Sequence, residues 1–219
     1  MLALSIFCSS YRISVALSEG KKLQLYYEKK IKNGKIEGLF TLLTKFQKFN
    51  GFNNLKYILF ANGPGSFTGI RSIKSICQAF TLYNNAKIHS VCTFFPYLIK
   101  ELKNDCEVIV IYKSSGKNFF FKHFEIKKRK IMEKSKLFVN DIKNIESFFE
   151  KKKKNNNKLF LVTDDQDIKK IFKNSVKFYP VSAKDLLECF LNGYSLDNQD
   201  IFYHNTYYEW VYFKNIKQK

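Results

Sequence analysis

Nine residues, G-P-G-S-F-T-G-I-R from Gly63 to Arg71, stand between an apolar run and a helical pattern. They hold three of the chain's nine glycines and one of its three prolines. The run before them, L-K-Y-I-L-F-A, reads as a buried strand. After them Phe67, Ile70, Ile73, Ile76, Cys77 and Phe80 recur at three- and four-residue spacing, one side of a helix that stops near Asn84-Asn85. A strand that passes through a glycine turn directly into a helix is a unit of α/β architecture. It leaves little room for an all-helical or all-strand fold.

The flanking segments extend that unit. L-A-L-S-I-F-C and Y-R-I-S-V-A-L read as two strands, and a turn at Glu19-Gly20 leads to a third, K-L-Q-L-Y-Y-E. A helix follows from about Ile36 to Asn50, with Ile36, Leu39, Phe40, Leu43 and Phe46 facing inward and Asn50-Gly51 as its stop. I-H-S-V-C, after the second helix, is a strand. The order βββαβα then recurs more loosely. E-V-I-V-I-Y, N-F-F-F-K-H-F-E-I and R-K-I-M-E supply strands, and D-I-K-N-I-E-S-F-F-E a helix. L-F-L-V-T and V-K-F-Y are strands around a short helix, D-Q-D-I-K-K-I-F. S-A-K-D-L-L-E-C-F-L closes the pattern, with Ser182 as N-cap. The expectation is two similar α/β lobes: residues 1–103, carrying the glycine loop, and a smaller lobe over 104–219 that includes an aromatic tail from Tyr203. The run K-K-K-K-N-N-N at 151–157 reads as a solvated loop.

The loop admits more than one use. Backbone N–H groups at a helix start bind anions, and Ser66 or Thr68 can cap the helix. Yet the spacing G-x-G-x-x-x-G is one residue longer than the dinucleotide fingerprint. No Lys-Ser or Lys-Thr follows, and Pro64 removes a donor. The structural alternative gives Gly63-Pro64-Gly65 to a sharp turn and Gly69 to close packing with another backbone.

Acidic residues weigh on that choice. Residues 1–100 contain 14 Lys or Arg against Glu19, Glu28 and Glu37, and no Asp precedes Asp105. Phosphoryl transfer needs carboxylates to hold Mg²⁺, and this lobe lacks them near the loop. The net charge of +19 suits a polyanionic partner. Only three of the 38 basic residues are arginine, however, and abundant Lys, Asn, Ile, Phe and Tyr also reflect AT-rich codons. Cys8, Cys77, Cys92, Cys106 and Cys189 are scattered, which predicts free thiols. His89, His123 and His204 are isolated in sequence. Asp164-Asp165-Gln166-Asp167 reads as helix capping. No metal site is expected. No apolar run reaches membrane-spanning length, no Lys or Arg precedes the apolar start, and the expected location is the cytoplasm.

G-P-G-S-F-T-G-I-R after a buried strand, within βββαβα, resembles the TsaB family, the dimerisation subunits of the bacterial machinery for tRNA threonylcarbamoyladenosine. S-V-A-L at Ser14–Leu17 resembles that family's second strand. The resemblance implies an actin-like or Hsp70-like two-lobed ATPase (ribonuclease H-like) fold with a reduced second lobe. It implies no catalytic residues and no cofactor of its own, with ATP or ADP bound only in the assembled complex. The implied partners are a TsaD-type catalytic subunit and a TsaE-type ATPase, with tRNA reached indirectly and a homodimer as the alternative pairing. The implied interface is Gly63, Pro64, Gly65, Ser66, Phe67, Thr68, Gly69, Ile70 and Arg71. The chain departs from the family at Phe7-Cys8-Ser9, where an Asp-Thr-Ser-like turn is usual, and at I-F-Y-H-N-T-Y-Y, where a Pro–Tyr–Arg-type segment is usual. The alternatives from the residues themselves are a small phosphate-loop kinase or acyltransferase, and a basic tRNA-binding module.

Overall fold

A computed structural model describes residues 1–9, 12–30, 37–49, 52–114, 116–154, 156, 158–197 and 200–201. The first sheet contains β1 (Leu2–Cys8), β2 (Arg12–Glu19), β3 (Lys22–Lys30), β4 (Tyr57–Ala61) and β5 (Lys87–Val91), ordered β3-β2-β1-β4-β5. β1, β2 and β3 are antiparallel, as hairpin connections allow; β4 and β5 join in parallel. Parallel pairing needs a crossover, and α2 (Phe67–Asn84) supplies the one from β4 to β5.

Alternation along β1 and β2 settles what covers each face. Leu4, Ile6, Val15 and Leu17 pack with Leu39, Leu43 and Phe46 of α1 (Glu37–Gln47) and Ile73 and Cys77 of α2. The opposite face presents small buried residues: Ala3, Ser5, Ser14 and Ala16. They leave room for the last helix, α6 (Ala183–Leu191). The Ser14 hydroxyl accepts from the Ala183 N–H at 2.8 Å, and the Ser5 hydroxyl donates to the Ala183 carbonyl at 2.7 Å. The Asp185 carboxylate reaches back to the Ser182 N–H at 2.6 Å. Two strands from the start of the chain thus clasp a helix some 170 residues on, satisfying donors that a buried helix start otherwise leaves unpaired.

The second sheet uses β6 (Cys106–Lys113), β7 (Phe119–Lys127), β8 (Lys130–Glu133), β9 (Phe138–Asn140), β10 (Leu159–Thr163) and β11 (Val176–Phe178). Its order, β11-β10-β6-β7-β8 with β9 also on β7, repeats the first sheet's pattern. Ile145 and Phe149 of α4 (Ile142–Lys153), with Ile168 and Phe172 of α5 (Gln166–Phe172), cover one face. A single apolar cluster joins the sheets. It runs from Phe7, Leu59 and Val91 through Phe94 and Tyr97 at α3 (Phe95–Leu98) to Val108, Tyr112, Phe124 and Val162, and on to Leu186 of α6.

Several expectations need correction. Phe40, assigned to the core, is 61% exposed, and Ile76 and Phe80 are half-buried. These three side chains line the space between α1 and α2 rather than the helix–sheet contact. Lys151–Lys153 form the last turn of α4, where cations favour the helix dipole, rather than a loop. α6 lies in the expected second lobe by sequence but packs on the first sheet. Ile36, Asn50-Gly51, His204 and the aromatic tail lie outside the described residues, as does the Phe67 side chain.

Buried Glu101 holds the lobes' junction. It accepts from Lys177 Nζ at 2.8 and 2.9 Å, from Asn104 Nδ2 at 3.0 Å and from the Tyr179 hydroxyl. Removing one member of a wholly buried ion pair costs about 3–5 kcal/mol. Lys177 is 44% exposed and can rehydrate, so Glu101→Ala is expected to cost about 1–3 kcal/mol. Urea unfolding measures this; an unchanged midpoint would refute the role.

Candidate functional site

The glycine loop is lashed to the end of β5. The Thr93 N–H donates to the Gly63 carbonyl at 2.8 Å, the Asn62 N–H to the Val91 carbonyl at 3.0 Å, and Asn62 Nδ2 to Ser90 Oγ at 3.0 Å. Gly63 has φ 119°, a region that glycine enters without steric cost. Pro64 is buried behind it. At Gly65 a Cβ would lie 3.1 Å from Ile70 Cδ1 and 3.6 Å from Tyr112 Cε1. Within the loop the tight approach is therefore at Gly65, against the Ile70 side chain of α2, with Tyr112 of the second sheet in ordinary contact. At Gly69 a Cβ would meet only Ser66 atoms, at 3.4 Å.

Ser66 is the N-cap of α2, its hydroxyl accepting from the Gly69 N–H at 3.3 Å, while the Ile70 N–H donates to the Ser66 carbonyl at 2.9 Å. Two early donors of the helix are thus already engaged. Ile70 is buried, whereas Ser66, Thr68 and Arg71 are exposed. The loop residues are therefore brought together, with the first three in the turn and the rest along the first turn of α2.

Beyond that turn, α2 and α1 border a groove of about 610 Å³, lined by Phe40, Leu43, Ile76, Ala79, Phe80 and Tyr83 among others. Phe40 and Tyr83 are 61% and 72% exposed, and neighbouring Leu82 is 89% exposed. A contiguous apolar surface of this kind marks an interaction site more often than single exposed hydrophobes do. The sequence carried this signal as apolar positions in excess of one helix face.

The carboxylates sit elsewhere. Glu28 pairs with Arg12 at 3.6 Å, at the far edge of the first sheet. Asp165 caps α5, accepting from the Asp167 and Ile168 N–H groups at 2.9 and 3.1 Å. Asp164 does not cap. It is 3% exposed, and burial pushes its carboxyl up to about 6. The Tyr97 hydroxyl and the Arg12 charge oppose that rise and Asp165 adds to it, but burial dominates. The Tyr97 hydroxyl lies near, yet neither it nor Asp164 Oδ2 completes a hydrogen bond. Phe7, at the position where an acid was the family expectation, is fully buried in the inter-sheet core. Among the described residues no three His, Cys, Asp or Glu side chains are grouped to hold a metal ion.

The histidines are less isolated in space than in sequence. His123 Nε2 is 2.7 Å from Glu107, and His89 Nε2 is 3.8 Å from Asp197. Burial nevertheless lowers both below the usual imidazole range. All five cysteines are free, and burial raises the Cys8, Cys92 and Cys106 thiols to about 11, so they are not thiolates at neutral pH. No helix among the described residues is long and apolar enough to cross a membrane.

Two lobes with the same strand order, sharing one core between them, define an α/β protein of the actin-like fold. Within that class the chain is similar to the structure of YeaZ from Pseudomonas aeruginosa. The TM-score is 0.67 at 13% identity, over 93% of this chain and 99% of that one. It is also similar to an uncharacterized protein with similarity to peptidase YeaZ, from the same organism, with TM-score 0.63 at 12% identity and the same coverage. No protein-family model and no curated protein matches the sequence.

Proposed function

We propose that this chain is a TsaB-type subunit: a non-catalytic scaffold that binds and stabilises a TsaD-type threonylcarbamoyltransferase acting on the adenosine beside the tRNA anticodon. The observation that carries this reading is the apolar groove between α1 and α2, on the helix that the G-P-G-S-F-T-G-I-R loop opens. The likeness of fold to YeaZ (TsaB) agrees with it. In this reading Gly63 to Arg71 borders the partner, and Gly69 lets a partner helix approach. A TsaE-type ATPase joins the assembly, tRNA is reached through it, and a homodimer forms on the same groove when the partner is absent. Nucleotide binds only in the assembled complex, in the cytoplasm. The kinase reading is the weaker one, because the helix start is occupied by its own cap and Glu28 is paired with Arg12 at the far edge of the sheet.

Reconstituted tRNA modification with and without the chain tests the scaffold role; undiminished product in its absence refutes it. Gly69→Leu sharpens the test. A Cβ there meets only the Ser66 cap, in ordinary contact, and leucine favours helix over glycine by up to about 1 kcal/mol. The expected result is an unchanged or slightly raised melting temperature with at least tenfold weaker capture of the TsaD-type partner. Equal loss of both would make Gly69 merely structural.

A further inference from the structure

The hairpin joining β7 to β8 carries four consecutive cations, Lys127, Lys128, Arg129 and Lys130, all exposed. Lys127 pairs with Lys130 in the ladder, so Lys128 and Arg129 alone make the turn. Both have positive φ, 49° and 60°. Two-residue hairpins favour Asn-Gly at such positions, and a side chain with a Cβ costs roughly 1–2 kcal/mol in the left-handed region. Here the backbone accepts that cost twice, and the side chains displayed are cationic.

The turn is also braced from both sides. The Lys128 N–H donates to Asp105 Oδ1 at 2.9 Å, and the Tyr194 hydroxyl donates to the Arg129 carbonyl at 3.0 Å. Tyr194 is itself held edge-on against Phe95, with ring centroids 5.6 Å apart. The nearby acid, Asp105, is thus directed at backbone. Among the described residues none of the four cations has an ion-pair partner. Four like charges held together in a rigid turn repel one another, and a polyanion relieves the repulsion while releasing its own counterions.

We propose that the β7–β8 turn is a phosphate-backbone contact for structured RNA. The turn has no aromatic side chain on which a base could stack and no apolar side chain to enter a bilayer, so the contact is with backbone and indifferent to sequence. It belongs to the second sheet, whereas the α1–α2 groove lies on the first, and it does not depend on the scaffold reading.

The test uses the full chain and a fluorescent tRNA-sized structured RNA, with anisotropy read from 50 to 200 mM salt. The variant is Lys128→Asn with Arg129→Gly, which removes two charges while installing the favoured turn pair. Binding is expected to weaken several-fold at 50 mM salt, the slope of log K against log salt to fall by about 1 to 2, and the melting temperature to hold or rise. Lys151→Ser with Lys152→Ser removes the same charge from the exposed end of α4 and is expected to leave the slope near that of the parent. An unchanged slope in the turn variant, an equal loss in the α4 variant, or no RNA binding by the parent at 50 mM salt would overturn the proposal. So would tighter binding to phosphatidylserine vesicles than to RNA. Capture of the TsaD-type partner is a separate readout, so either reading can fail alone.

Discussion

Asp164→Asn is expected to stabilise the folded chain at pH 8 by up to about 3 kcal/mol, and to change little at pH 3.5. The folded carboxyl holds its proton to about 6 against an ordinary value of 3.8. A group whose folded-state pKa is raised favours the folded state fully below the unfolded pKa, and that contribution is lost as pH rises through the folded one. The loss therefore falls between about pH 4 and pH 6, and a rise from 3.8 to about 6 corresponds to about 3 kcal/mol. The amide keeps the shape but cannot ionise, so the variant lacks this step. For a chain of this length each kcal/mol is worth about 2–4 °C in melting temperature. The groups facing Asp164 are the Tyr97 hydroxyl, Arg12, Asp165 and, through its effect on the same pocket, Tyr112. Subtracting the parent's stability–pH curve from the variant's removes contributions common to both, including those of His89 and His123. Parallel curves would show that Asp164 is not held in the protonated form.

A second large effect is expected at the groove. Phe40→Glu should weaken binding of the TsaD-type partner by at least 30-fold, because central aromatic anchors carry about 2 kcal/mol or more of interface energy. The free chain should lose less than about 0.5 kcal/mol, as exposed substitutions usually do, since Phe40 already faces solvent. Tyr83→Ser, across the groove on α2, should act in the same direction. Isothermal titration gives the affinity and thermal melting the stability. Full affinity in both variants would place the partner elsewhere.

The contrast between Phe40 and Leu43 shows where sequence reading stops. Both fall on the apolar side of α1 by spacing, and periodicity correctly located the helix. Whether an apolar position meets the sheet or the gap beside a neighbouring helix depends on how α1 and α2 are spaced, which no single segment encodes. Asp164 and Asp165 pose the same problem at adjacent positions. One caps a helix and the other is buried without a hydrogen bond at Oδ2, and D-D-Q-D reads the same in either case. The glycine turn was legible because positive φ and tight packing leave so few residue choices, although the close contact fell at Gly65 rather than Gly69. R-K-I-M-E reads as a strand from Arg129, whereas Arg129 stands in the turn and β8 starts at Lys130. The pair Lys128-Arg129 lacks the Asn or Gly that usually announces a two-residue turn. The repeated βββαβα succession, by contrast, was readable from alternation and helix spacing alone, although β9 and the order of strands within each sheet were not.

The clasp of Ser5 and Ser14 on Ala183 bears on how the protein is made. During synthesis the first five strands leave the ribosome long before α6 does, so the patch of their sheet that α6 covers waits until about residue 191 has emerged. Closing such a distant contact is slow, and uncovered sheet surface is where growing chains associate wrongly. A product cut short before α6 would keep all eleven described strands yet leave the Ala3, Ser5, Ser14 and Ala16 patch without its helix, which makes a late segment the guardian of an early one.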